Sequence, residues 1–275
     1  MHMYSKVTTI DAGKPTAVFW HELWEYRELL TLLVRRDIAI RYKQTVLGVG
    51  WAVIRPLLTI LVFAAVFSLI VKVPSQNTPY LLLVLAALLP WQLISGAMSA
   101  ASESLLGNSG MLSKVYFPRL LFPLSAVATA IADFAVAFGL LLILMAWYGV
   151  APSLRIVALV PLLTLSLCLA AGLGIWLSAV NVKFRDFRYV VPFLVQLGMY
   201  VSPIGYPTAM VPAQWQLAYA LNPAVGIIDG FRWALLDESY LNLPALGISC
   251  VAALLAVLGG LVYFRRVERG LVDEL

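Results

Sequence analysis

The chain has 275 residues, of which 62% are hydrophobic and only 12% charged, with a net charge of +5. So few charges cannot cover a water-soluble domain of this length, which excludes the soluble enzyme classes, makes a nucleic-acid partner unexpected and leaves an all-α integral membrane protein. Length therefore sets the number of membrane spans rather than of soluble domains.

The first 50 residues hold seven Lys or Arg and no early apolar h-region, so a cleaved leader is not expected and the segment is expected to stay cytosolic. Within it, residues 16–34 read TAVFWHELWEYRELLTLLV. Phe19, Leu23, Tyr26, Leu30 and Leu33 recur at three- and four-residue steps, with His21, Glu22, Glu25 and Glu28 between them. This pattern predicts an amphipathic helix, and Trp20 and Trp24 suit the headgroup layer. A seat on the membrane surface is favoured over packing against a cytosolic partner, because a span follows closely and two Trp are present.

Arg36, Arg41 and Lys43 form a basic collar ahead of an apolar run from Trp51 to Val71. Such a collar before about 20 apolar residues marks a first span whose flanking charges remain in the cytosol. Five more spans are expected at Tyr80–Ala101, Leu120–Trp147, Ile156–Val180, Val190–Tyr206 and Pro244–Phe264. The fifth is short and carries Pro192 and Pro203. Fifteen basic residues then fall inside and three, Lys72, Arg155 and Arg232, outside, with Arg55 within the first span. That asymmetry predicts six spans with both termini cytosolic.

Trp51, Arg55 and Thr59 make one stripe on the first span. Between the second and third spans, residues 102–114 are too polar to insert. They read either as a plain connector or as a short cytosolic helix that docks a soluble partner. Asp133 is the one acidic residue well inside a span. A carboxylate there faces the bundle interior, pairs or stays protonated. A tie between helices, with Arg55 or Arg119 as candidate partner, is favoured over a proton relay, since no second intramembrane acid is present. Cys168 and Cys250 fall inside spans and read as small buried apolar residues.

Tyr189, Phe193 and Tyr200 share a face of the fifth span, with Gln196 beside them. Sugar rings stack on aromatic faces and hydrogen-bond through their hydroxyls, although aromatic stripes more often serve packing or the membrane interface. Between the fifth and sixth spans, residues 215–221 (WQLAYAL) and 224–236 (AVGIIDGFRWALL) are apolar but too short to cross, and Pro207, Pro212 and Pro223 punctuate them. They read as re-entrant or interfacial half-helices, which must be buried in protein or line a wet cavity.

Catalytic chemistry is not expected in this chain. Gly13-Lys14 is the only Gly-Lys pair, Pro15 follows it, and no upstream glycine completes a phosphate-binding loop. His2 and His21 are both N-terminal and supply no metal cluster or triad. No pair of carboxylates sits together within the spans.

Four stretches together resemble the membrane subunit of an ABC-2-type exporter, of the branch that exports O-antigen, capsule or teichoic-acid polymers. The first runs from Arg36-Asp37 through Arg41-Tyr42-Lys43-Gln44-Thr45 to Leu47-Gly48, Trp51 and Pro56-Leu57. The second holds Leu89-Pro90-Trp91, Ser104-Leu105, Asn108, Lys114-Val115-Tyr116-Phe117-Pro118-Arg119 and Asp133-Phe134. The third runs from Asn181-Val182-Lys183-Phe184-Arg185-Asp186 through Pro192 and Gln196 to Ser202-Pro203 and Tyr206-Pro207. The last is Asn222-Pro223 with Phe231-Arg232. Arg55 departs from the pattern, where an uncharged residue is expected before Pro56.

The resemblance implies a homodimeric permease in the bacterial inner membrane. It implies two copies of a separate ATP-binding subunit, which would bind ATP and magnesium, so that this chain holds no cofactor of its own. It implies a cytosolic segment with an interface helix over residues 1–50, an ABC-2-type transmembrane domain over 51–264 and a cytosolic tail over 265–275. The expected cargo is a lipid-linked polysaccharide. Its headgroup would meet Arg36, Arg41 and Lys43, and its glycan would pass Trp51, Arg55, Thr59, Tyr189, Phe193, Gln196 and Tyr200. Glu103, Ser104, Leu105, Asn108 and Lys114 would couple to the ATPase. Other readings are an exporter of teichoic acid, drugs or small lipids, and an ion-coupled secondary transporter using Asp133, for which the internal repeat common in such carriers is not evident.

Overall fold

A computed structural model describes residues 16–43, 50–63, 65–66, 79–112, 117–184, 186–236 and 241–268. All regular structure among them is helical. The order is α1 (Thr16–Glu25), α2 (Arg27–Lys43), α3 (Gly50–Phe63), α4 (Tyr80–Gly107), α5 (Ser109–Leu112), α6 (Leu121–Trp147), α7 (Leu159–Lys183), α8 (Phe187–Val201), α9 (Ala213–Ala220), α10 (Pro223–Leu236) and α11 (Leu243–Val267). Short 3₁₀ turns at Leu154–Ala158 and Thr208–Met210 lead into α7 and α9.

Among the described residues four helices are long and apolar enough to cross a membrane: α4 with 28 residues, α6 with 27, Leu154–Lys183 with 30 and α11 with 25. At 1.5 Å per residue each exceeds about 30 Å of hydrocarbon. Each begins within three residues of its expected start, because apolar runs of this length leave little choice. The fifth expected span is the shorter α8, which ends at Val201, so 202–206 is irregular rather than helical. The first coincides with α3 as far as Phe63, and residues 67–71 lie outside the described residues.

The chain folds around α4. About four-fifths of its membrane-length window is buried, against about a third for each of the other three long spans. The run from Leu82 to Trp91 is buried throughout, with α6, α7 and α10 packed around it. Pro90 sits inside this helix, and lipid-embedded helices tolerate proline where neighbours re-satisfy the freed carbonyl. On another face of α7, Gly172 lets α11 approach closely: a Cβ there would overlap the backbone of Ala256 and Val257. Small residues at such crossings give spans the close van der Waals contact that replaces a hydrophobic drive in lipid.

Two apolar clusters mark the ends of the bundle. The distal one gathers the start of α4, the end of α6, the start of α7 and α10. The basal one gathers Leu33, Leu105, Phe117, Leu120–Phe122, Ile175, Ala179, Val182 and Phe264. Leu23, Tyr26, Leu29 and Leu30 of the N-terminal helices pack on this basal cluster. This corrects what lies against the amphipathic stripe from Leu23 to Leu33, which is protein rather than lipid. The chain's own spans cover it, while Trp24 remains 68% exposed with the Arg27 guanidinium over its ring. Burial of Cys168 and Cys250 also fails: both are exposed, in an apolar groove of about 590 Å³ between α7, α10 and α11.

Candidate translocation and coupling sites

The α8 helix carries one apolar-aromatic face away from the body. Tyr189, Phe193 and Tyr200 are 75%, 63% and 66% exposed, with Gln196 exposed beside them. The helix is held from behind, where Gly198 leaves room for the Trp91 ring of α4. The aromatic row predicted from spacing thus exists as an open face. On α3, Thr59 is partly exposed, and Leu58, Leu61 and Val62 are exposed. The backbone of Trp51 and Arg55 continues this helix, but their side chains lie outside the described residues. Both α3 and α8 rest on α4.

At the basal end, α2 runs along α6 and is tied at three levels. Arg36 donates through Nε and Nη2 to Asp37 Oδ1 at 2.9 and 2.8 Å, and through Nη2 to Asn108 Oδ1 at 2.9 Å. Asn108 lies between α4 and α5, and its Nδ2 donates to Ser104 O at 2.8 Å. On the next residue, Asp37 Oδ2 accepts from Ser125 Oγ of α6 at 3.4 Å. At the top of α2, Arg41 and Tyr42 each donate to one oxygen of the Asp133 carboxylate. Burial, then the bond to Asp133, pushes the Tyr42 phenol up to about 12, so it stays protonated and remains a donor.

Asp133 is therefore tied to α2. Of the two partners suggested by sequence, Arg119 instead donates to the Glu268 carbonyl oxygen, and the Arg55 side chain lies outside the described residues. Burial raises the Glu268 carboxyl above the ordinary carboxylate range, although Arg119 and Arg265 pull it down. Of the proposed headgroup cations, Arg36 and Arg41 both hold carboxylates of the chain itself. The side chain of Lys43 lies outside the described residues.

The coupling residues divide by exposure. Residues 102–107 are the last turns of α4, and only α5 is a separate short helix. Glu103 is exposed, whereas Ser104 and Leu105 are buried, Ser104 donating to Ala101 O at 2.7 Å. Gly107, Gly110 and Met111 provide further accessible surface there, and Lys114 lies outside the described residues.

The distal end holds a residue whose burial was not read from the sequence. Arg232, counted among the outer-side cations, lies at this end and is 1% exposed. Its guanidinium donates to Ile204 O at 2.9 Å, Tyr206 O at 3.1 Å and Leu83 O at 3.3 Å. Tyr80 Oη donates to Gly205 O at 2.8 Å, Thr208 Oγ1 to Asp229 Oδ1 at 2.7 Å and Asn222 Nδ2 to Ser202 Oγ at 3.0 Å. The Tyr206 and Tyr219 hydroxyls lie 3.0 Å apart. The irregular segment after α8 is thus fastened to α4 and α10 through its own carbonyls, as backbone at membrane depth requires. The available signal was Arg232 itself, a lone cation within an apolar stretch.

The two half-helices differ. Most of α10 is buried against α4, α7 and α11. By contrast, α9 is exposed from Ala213 to Ala218, with Trp215 at 61% and Leu217 at 72%, and only its end, Tyr219 and Ala220, packs inward.

The sequence profile of the ABC-2 type transporter family matches residues 28–236. The chain is 30% identical over 213 residues to the O-antigen export system permease protein RfbA of Myxococcus xanthus, covering 77% of this chain and 81% of that one. It is 27% identical over 242 residues to a protein of the same name from Klebsiella pneumoniae, with 88% and 92% covered. To the polysialic acid transport protein KpsM of Escherichia coli it is 23% identical over 250 residues, with 88% and 94% covered. The matched span runs from the basal ties of α2 through the Arg232 anchor in α10, and on that evidence the chain belongs to the ABC-2 type transporter membrane family.

Proposed function

We propose that this chain is the membrane permease of an ABC exporter that carries a lipid-linked, O-antigen-like polysaccharide across the bacterial inner membrane. It works as a homodimer with two copies of a separate ATP-binding subunit, which holds ATP and magnesium. It crosses six times, with the basal end and both termini in the cytosol. The observation that carries this reading is the near end-to-end similarity to permeases named for O-antigen export and polysialic acid transport.

The open face of α8 supports a sugar track. Tyr189, Phe193 and Tyr200 give sequence-tolerant stacking surfaces, and Gln196 gives an amide for hydroxyls. Trp51, Arg55 and Thr59 of α3 line the same path. Arg36, Arg41 and Lys43 meet the pyrophosphate headgroup, which must then compete with Asp37 and Asp133 for two of these cations. The partner docks on the exposed part of the coupling segment around Glu103 and α5, with Asn108 and Lys114, while Trp20 and Trp24 lie at the interface layer. The re-entrant α9 and α10 close the outer mouth. Burial makes α10 the fixed part of that closure and leaves α9 as its movable part.

The test is export in cells that express the chain with its ATP-binding subunit, scored as surface polymer. Phe193→Ala with Tyr200→Ala removes two stacking surfaces worth about 1–3 kcal/mol each by analogy with base stacking, so export should fall at least about tenfold. Membrane level and ATPase co-purification should be unchanged. Undiminished export would remove the aromatic track, and nucleotide-independent export would remove the exporter assignment.

A further inference from the structure

The polar ties on α2 join three parts of the molecule. Arg36 bonds Asn108 at the junction of α4 and α5, where the exposed coupling surface lies. Asp37 faces Ser125 at the base of α6. Arg41 and Tyr42 close on Asp133, twelve residues beyond Leu121 and so about 18 Å along α6. Only residues 44–49 separate α2 from α3. Below these polar contacts, Leu29, Leu30 and Leu33 seat α2 on the basal apolar cluster.

A carboxylate midway along a long span is costly unless paired. Here both of its oxygens are taken by donors from a single other helix. Such a clamp fixes where α2 stops and grips α6, which in turn packs against α3. The Arg36–Asn108 bond fixes the other part of α2 to the α4–α5 junction. A displacement of that junction thus reaches α2 directly, and α2 passes it on to α6 and, through α6, to α3.

We propose that α2 is a rigid strut that carries motion from the α4–α5 junction to α6 and α3, and that Asp133, Arg41 and Tyr42 are the positioning residues that clamp its upper end. This inference rests on the exporter reading, since the motion it transmits is that of an ATP-binding partner. It gives Asp133 a mechanical role, and it means that Arg41 is engaged within the chain before any headgroup arrives.

The experiment uses the full chain co-expressed with its ATP-binding subunit, measuring polymer export in cells and ATP hydrolysis by the purified complex. Asp133→Asn and Tyr42→Phe weaken the clamp without adding charge. Each should lower export about tenfold while hydrolysis stays within about twofold, a split that simple misfolding would not produce. The exchange Arg41→Asp with Asp133→Arg restores the pair in reverse and should recover most of the export lost in Arg41→Asp alone. Export undiminished in both conservative variants, or hydrolysis falling in step with export, overturns the strut. So does an assembled exchange variant that exports no better than Arg41→Asp.

Should the exchange variant not assemble, oxidation of a paired Asp37→Cys, Ser125→Cys variant decides the matter. If α2 and α6 move as one body, the cross-linked complex exports at the rate of its reduced form; loss of export on cross-linking overturns the proposal. Failure of the parent complex to export in response to nucleotide removes the exporter reading itself, an outcome distinct from all of these.

Discussion

Arg232 is the charged residue among the described ones that is fully buried, and three of its bonds go to backbone carbonyls. Those carbonyls belong to Leu83 in α4 and to the irregular stretch after α8, where no helix ladder is available to satisfy them. A buried acceptor left unmade costs about 1–3 kcal/mol, and bonds to a charged donor are the stronger kind. Arg232→Met should therefore lower stability by on the order of 3 kcal/mol, read as an earlier thermal midpoint in detergent. Arg232→Lys keeps the charge, but a single ammonium cannot span three separate carbonyls as a planar guanidinium does. It should fall between the parent and Arg232→Met, and a Lys variant as stable as the parent would show that charge alone matters. This position explains why the site was only partly legible from the sequence. A cation in an apolar stretch between two spans counts as an outside charge. Its partners come from residues 26 to 149 positions away, and only the packed fold selects them. Asp133 presents the same problem. Its cost in a span was plain, but its partners Arg41 and Tyr42 lie about 90 residues earlier.

At the scale of elements, long apolar runs were readable because α4, α6, α7 and α11 are set by length and hydropathy alone. What covers an apolar stripe was not. Leu23, Tyr26, Leu30 and Leu33 have the same periodicity whether lipid, a partner or the chain's own spans lie against them, and the spans do. The crossing of α7 and α11 was equally silent in sequence, since Gly172 is one of several glycines in apolar runs. Its close approach to the backbone of Ala256 and Val257 makes a sharp prediction. Gly172→Ala should destabilise by about 1–3 kcal/mol through overpacking, and Gly172→Leu should prevent recovery of folded protein. Gly139 in α6 is the control, because a Cβ there meets nothing within 4 Å. Gly139→Ala should gain about 0.5–1 kcal/mol by favouring the helix. Equal thermal midpoints for the two alanine variants would show that the α7–α11 approach is looser than described.

The whole molecule is a bundle whose sides suit lipid and whose two ends differ. Ile143, Val160, Leu254, Leu255 and Leu258 are exposed on α6, α7 and α11, as sides facing hydrocarbon should be. The basal end carries Arg27, Arg36, Arg119, Lys183, Arg188, Arg265 and Arg266, close to the ends of the helices that meet there. The distal end has one of its cations, Arg232, withdrawn into protein and another, Arg155, set over the Trp233 ring. Burying Arg232 sharpens the asymmetry that orients the chain, because fewer charges then face the distal solvent. The basal end should therefore be cytosolic. Single cysteines at Met111 in α5, Phe184 after α7 and Trp215 in α9 test this, all three parent residues being exposed. Cys168 and Cys250 would first be changed to Ser, since both are exposed in the apolar groove between α7, α10 and α11. In sealed cells, a membrane-impermeant maleimide should modify the cysteine at 215 and spare those at 111 and 184; after permeabilisation all three should react. Labelling of 111 or 184 in sealed cells would invert the orientation and place the ATPase-docking surface on the side where no ATP is available.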